Sequence, residues 1–199
     1  MKWLGVKVAM LAMLLAGCSS TVAPELSQHY EPSESARIRL FGQNQKPTTM
    51  YVQAADEAAK PIKISVGGTM GEAFSSFLRV VKNQSLGMAA TEHTRNLQQR
   101  DGILSKAFYR EFVIPAGRPV KINNAFIGLS NVHNNQVTGM RQVTRESSCR
   151  SQDITFTPQA GKDYEVTTYA DGHRCVVQVF ELVGGGDGIE AVLVPVSQP

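Results

Sequence analysis

Four histidines, three cysteines and seventeen acidic residues carry most of the reactive chemistry in this 199-residue chain. Their spacing does not assemble a familiar catalytic set. No GxSxG, HExxH or SxxK pattern is present. His29 lies in a Ser- and Pro-rich segment, His93 and His133 lie in polar stretches, and His173 sits in the turn-like Asp171-Gly172-His173. Each reads as an isolated surface residue. Glu57, Glu72, Glu92, Asp101 and Glu111 offer carboxylates, but nothing in the sequence pairs two of them. Gly67-Gly68-Thr69-Met70-Gly71 has the glycine content of a phosphate-cradling loop. It lacks both the Lys-Ser/Thr ending of a P-loop and a surrounding βαβ pattern, and reads as a tight turn. No catalytic residue and no metal ligand is assigned.

Cys18 is different, because what precedes it is patterned. Lys2 and Lys7 form a basic start, and Val8 to Ala16 is an unbroken apolar run. A membrane-spanning helix needs about 20 residues, so this run has the length of a signal-peptide core instead. It ends Leu15-Ala16-Gly17-Cys18, which resembles the lipobox of bacterial lipoproteins. The resemblance implies cleavage between Gly17 and Cys18, a diacylglycerol on the Cys18 thiol, and an acyl group on its amine. Ser19, where an Asp would favour inner-membrane retention, implies an outer-membrane address. Covalent lipid on Cys18 is then the sole non-protein group expected. Several acyl chains hold a protein firmly, since each buried methylene contributes roughly 0.8 kcal/mol.

Export places Cys149 and Cys175 in an oxidising compartment, where two thiols in one small domain pair. Neither a CxxC spacing nor a ligand cluster supports a redox or metal reading of them.

Three segments follow: residues 1–17 as signal peptide, 18–35 as lipidated Cys and flexible tether, and 36–199 as a single β-rich domain. In that domain, apolar residues mostly recur with period two. Ile38 and Leu40 alternate with Arg37 and Arg39, and Ile62, Ile64 and Val66 with Lys63 and Ser65, as in strands with one wet face. Met50–Val52, Tyr109–Ile114, Pro119–Ile122, Ala125–Leu129, Ile154–Thr157, Tyr164–Tyr169 and Ile189–Val194 also read as strands. Cys175–Val183 is apolar on both faces, as a central strand would be. Pro- and Gly-bearing turns at 114–119 and 158–163, and the run Gly184–Gly188, separate them. The pattern predicts an antiparallel β-sandwich or partly open barrel. Phe74, Phe77, Leu78 and Val81 share one face of a short helix, capped by Thr69 with Glu72 three residues on. Residues 83–107 read as a long polar loop with a helical turn.

The formal charge of +3 is too small to suggest nucleic-acid binding, and loss of Lys2 and Lys7 lowers it to +1. Its placement is uneven. Residues 76–150 hold eleven basic and four acidic residues, whereas 151–199 hold two and seven. Either one surface is basic, facing lipopolysaccharide phosphates, an anionic glycan or an acidic protein, or interleaved strands offset the charges. Arg141, Arg145 and Arg150, flanking a loop before Cys149, are the candidates for a basic surface.

The chain resembles the many small uncharacterised lipoproteins of Gram-negative bacteria in its lipobox and tether. The blocks Phe112–Val120 and Phe156–Tyr164, with Cys149 and Cys175, have the same look. That resemblance implies a non-enzymatic, lipid-anchored binding or structural protein of the outer membrane, an accessory of a secretion, pilus or envelope-maintenance assembly. A cell-wall enzyme or enzyme inhibitor, and a surface-displayed adhesin, are the alternatives.

Overall fold

A computed structural model describes residues 26, 29–54, 58–68, 83–101, 105–128, 130–134, 138–145, 148–171, 174–184 and 188–198. The lipobox, Cys18 and the helix expected over 69–81 lie outside the described residues, as do Glu57, Glu72 and His173. Among the described residues, no helix is long and apolar enough to cross a membrane.

The chain is mainly β and forms two five-stranded sheets, consistent with a sandwich-like fold. Strands are numbered in chain order. The first sheet runs β12 (Glu190–Leu193), β11 (Arg174–Val183), β10 (Asp163–Asp171), β1 (Ser35–Gly42) and β4 (Phe108–Pro115). The second runs β3 (Ile62–Val66), β2 (Thr48–Val52), β5 (Val120–Phe126) and β8 (Cys149–Arg150), with β9 (Ile154–Phe156) also on β5. A separate ribbon pairs β6 (Ser130–Asn134) with β7 (Arg141–Arg145).

Alternation explains the core. Ile38 and Leu40 of β1, Val166 of β10 and Val179 of β11 point from the first sheet. They meet Met50 and Val52 of β2 and Val120 and Ile122 of β5 from the second, all fully buried. Phe156 closes on Tyr164 edge to face at 5.1 Å, and the Tyr164 hydroxyl accepts a bond from the Gln159 amide. Burying a side chain of this size contributes roughly 1.5–3 kcal/mol, so the period-two pattern is what drives the two sheets together.

Four expectations are corrected. The sandwich is not wholly antiparallel, because β1 runs parallel to β10, pairing Ile38 with Tyr164 and Leu40 with Val166. Expected strands 119–122 and 125–129 fuse into β5. Asn124, which breaks the apolar pattern, is buried and donates to the Pro47 carbonyl and the Thr48 hydroxyl. Arg141 and Arg145 open and close a strand, β7, in a stretch where the periodicity predicts none. Finally, β11 is not buried on both faces: Cys175, Val177 and Val179 face the core, while intervening residues are half-buried.

The domain also begins earlier than residue 36. Ser35 opens β1, Tyr30 lies over Arg37 at 4.6 Å, and Leu26 packs against the core. The glycines at 67–68 sit where backbones meet. Gly67 has φ +89°, and a Cβ there would lie 2.5 Å from the Gln43 carbonyl oxygen. The run from Gly184 joins β11 to β12 as a hairpin, Val183 facing Glu190.

Cys149 and Cys175 form a disulfide, with Cα atoms 5.3 Å apart. It ties β8 of the second sheet to β11 of the first, and its partners are 26 residues apart. On the chain-entropy model a loop of that length contributes about 3.5 kcal/mol by restricting the unfolded chain. The double variant Cys149→Ala/Cys175→Ala should therefore lose about 2–4 kcal/mol in urea unfolding. A loss below about 1 kcal/mol would show that core packing alone joins the sheets.

Candidate functional site

The outward face of β1 carries Arg37, Arg39 and Phe41. Register then fixes their neighbours. Arg39 lies opposite Glu111 of β4 on one side and Glu165 of β10 on the other. Three charged side chains thus stand in one row across three strands.

That face is not wet. Arg39 is 1% exposed, and Glu111 and Glu165 are fully buried. Residues 84–100 cover them. Gln84 hydrogen-bonds along the free edge of β4, giving to the Tyr109 carbonyl and taking from the Glu111 amide. The chain then crosses the sheet, forming helix α1 (Glu92–Arg95) and a 3₁₀ turn (Leu97–Arg100). The helical turn expected within 83–107 is present. Thr91 caps α1 by accepting from the Thr94 amide, while its hydroxyl donates to Glu165 Oε2 at 2.7 Å.

The ionic network is extensively satisfied. Arg39 Nε and Nη2 donate to Glu111 Oε1 at 3.0 and 2.7 Å, and Nη1 to Glu165 Oε2 at 2.8 Å. Nη2 also reaches the carbonyls of Met88 and Ala89. Glu111 Oε2 accepts from the Ser85 hydroxyl and from the amides of Leu86 and Met88. Glu165 Oε1 accepts from His93 Nδ1 at 2.7 Å. A second clamp lies beside it: Arg37 grips Asp163 through both carboxylate oxygens at 2.7 Å and donates to the Leu86 carbonyl.

Burial alone would push the Glu165 carboxyl up. Hydrogen bonds from His93, Arg39 and Thr91, with the Arg39 charge, outweigh it and hold the group below its ordinary value. The bond to Asp163 raises the Arg37 pKa against its desolvation.

His93 is therefore a joining residue and not a bland surface one. It packs between Phe41 and Phe180, with ring centroids 6.2 and 6.4 Å away. Glu111 is among the carboxylates the sequence offers, whereas its partners Arg39 and Glu165 do not stand out there. The available signal was a charged residue at the same parity in three apolar strands; using it required the strand order. Among the described residues, no group of three or more His, Cys, Asp and Glu side chains is placed to hold a metal ion.

The candidate arginines are brought together only in part. Arg141, Val143 and Arg145 alternate on β7, with Val132 directly opposite Val143, so these four share one face of the ribbon. Val132 and Val143 are about two-fifths exposed, at 41% and 43%, and both arginines are exposed. Neither arginine has an ion-pair partner among the described residues. Arg150 lies on β8, in another sheet, near enough to Asp153 to feel its charge. Elsewhere the charge offset prevails: Lys121 meets Asp153 at 3.0 Å and Lys162 meets Glu181 at 2.8 Å.

No protein-family model, curated protein or solved structure matches the chain.

Two outcomes test the buried row. Arg39→Met strands two carboxylates and should cost about 3–5 kcal/mol. Arg39→Met/Glu111→Leu/Glu165→Leu should recover at least half of that loss yet expose residues 84–100 to limited proteolysis. The second concerns pH. A carboxyl with a depressed native pKa adds stability above its unfolded value of about 4.5, lost as pH falls through the native pKa. Glu165→Gln should flatten the acid limb of stability measured between pH 2 and 5.

Proposed function

We propose that the chain is a lipid-anchored outer-membrane lipoprotein whose β domain is a non-enzymatic binding module. Its partner is a protein or an anionic envelope polymer, as for an accessory of a secretion, pilus or envelope-maintenance assembly. Cys18, behind Leu15-Ala16-Gly17, provides the anchor. The reading rests on the β6–β7 ribbon. Among the described residues it pairs with no other strand, and one of its faces presents Arg141, Val143, Arg145 and Val132 to solvent. No Asp or Glu occurs anywhere from residue 112 to residue 145. Exposed valines flanked by exposed cations supply contact area and long-range attraction toward an anionic surface.

The internal chemistry supports a binding role as well. The buried carboxylates of Glu111 and Glu165 are spent on Arg39, His93, Thr91, Ser85 and backbone amides. Groups held that way fix a scaffold; a general acid or base must be free to exchange its proton with a substrate.

In-cell crosslinking and capture of the tagged protein tests the proposal. Cys18→Ser should abolish palmitate labelling and move the protein from the membrane to the soluble fraction. Arg141→Ser/Arg145→Ser should stay lipidated and folded while losing most of the captured partner. Continued labelling of Cys18→Ser would refute the anchor, and undiminished capture by the arginine variant would refute the ribbon.

A further inference from the structure

The edge of a sheet presents a row of backbone donors and acceptors, and folds guard such rows against stray pairing. Most edges of the two sheets here carry a guard. Gln84 bonds along β4, taking up the Tyr109 carbonyl and the Glu111 amide. β3 bears the exposed Lys63 and is entered through Pro61. On the far side of β5, β8 is two residues long with an exposed Arg150, and Ser197 exchanges bonds with Thr155 of β9.

β12 has none of these devices. Its residues Glu190, Ala191, Val192 and Leu193 are all exposed, Val192 at 43% and Leu193 at 56%. No Lys or Arg occurs from residue 175 to residue 199. Among the described residues, β12 pairs with β11 alone. We propose that this edge pairs with β12 of a second copy of the chain, joining the two first sheets into one about a two-fold axis. The surface is separate from the ribbon.

Backbone direction fixes the register. The Val194 amide donates to the Val179 carbonyl, so alternation turns the backbone groups of Val192 and Glu190 toward β11 as well. The N–H and C=O of Ala191 and Leu193 therefore point away from the sheet. Antiparallel pairing centred on Val192 sets Ala191 opposite Leu193 of the second copy, and Leu193 opposite its Ala191. Each of those pairs exchanges two hydrogen bonds, so about four join the copies. Val192 meets its own counterpart at the non-hydrogen-bonded position, where side chains come closest.

Charge allows this symmetry. In that register Glu190 lies opposite Val194 of the second copy. The two Glu190 carboxylates are then four residue steps apart, ~14 Å along the strand. That exceeds the screening length of about 8 Å at physiological salt, so they repel little. An extended peptide of another protein would use the same donors. The second copy is favoured because the register is self-complementary, apolar against apolar with the acids held apart. Gln84 on β4 blocks the opposite edge, so pairing closes at two copies and does not grow into a fibre. Strands this short bury little against the roughly 1,000 Å² of a stable interface, so the dimer should dissociate in the micromolar range or above.

Sedimentation of the full chain in detergent tests the pairing and should show a monomer–dimer equilibrium that shifts with protein concentration. Ala191→Pro removes an N–H that points away from β11, and Leu193→Lys places a charge at an exposed position. Both should melt as wild type and weaken dimerisation at least tenfold; Leu193→Lys keeps the test decisive if the proline variant unfolds. Arg141→Ser/Arg145→Ser should dimerise as wild type, so failure of the ribbon proposal and failure of this one are separable. Cysteine crosslinking reads the register. Opposed non-hydrogen-bonded residues have Cα atoms about 4.5 Å apart, within disulfide reach. Val192→Cys should therefore give a reducible dimer on oxidation, and Glu190→Cys should not. A chain that stays monomeric, even one whose edge takes an extended peptide of another protein, would overturn the proposal. So would a dimer that both edge variants leave intact, or equal crosslinking through the two cysteine variants.

Discussion

Arg39 stands in the middle strand of three, 1% exposed, with its guanidinium out of reach of bulk water. A cation placed there requires opposite charge within bonding distance, and the neighbouring strands supply it through Glu111 and Glu165. The two carboxylates in turn require more donors than one arginine has. Those donors are Ser85, Thr91, His93 and the amides of Leu86 and Met88, all on one crossing segment. The position of residues 84–95 thus follows from the need to neutralise and solvate three buried charges. Replacing the row with apolar residues would leave the sheet intact and remove the reason for the crossing segment to lie where it does. Desolvation of the three groups offsets much of their mutual attraction, so such a network contributes modestly to net stability.

The same layer shapes the rest of the surface. Phe41 continues the outward face of β1 beyond Arg39, touching His93 on one side and carrying Arg100 on the other. One aromatic ring therefore separates the satisfied ionic row from a cleft that Lys46 and Arg100 help to line. The ribbon is a third environment, formed between β5 and β8, and among the described residues it joins neither five-stranded sheet. Charge on this domain is partitioned by place: neutralised inside the sheet face, and left exposed on the ribbon at Arg141 and Arg145.

The core was legible because alternation needs no partner to be read. Ile38, Leu40, Met50, Val52 and Ile122 face inward wherever their strands pair, and burying them is favourable in any sandwich. Arg39 was not legible as a buried charge by the same rule. Alternation places it outward, and outward means wet only where nothing covers the sheet. The cover comes from a polar segment without periodicity, docked by Glu111 and Glu165, so three distant stretches must be placed before one of them makes sense. Asn124 misled for a related reason: its amide reads as a turn until Pro47 and Thr48 are beside it. The Cys149–Cys175 pair was within reach because oxidation and cysteine number constrain pairing without topology.

The parallel pairing of β1 with β10 has a consequence in time. Arg37 meets Asp163 and Arg39 meets Glu165, each across 126 residues of chain. During synthesis β1 emerges early, with one edge lacking its strand and Arg39 lacking its second carboxylate until nearly the whole domain has been made. Contacts this distant form slowly, because much chain entropy must be lost before they are rewarded. The pairings of β1 with β4 and of β2 with β3 and β5 need only residues up to 126, so what waits for the C-terminal third is the completed charge row.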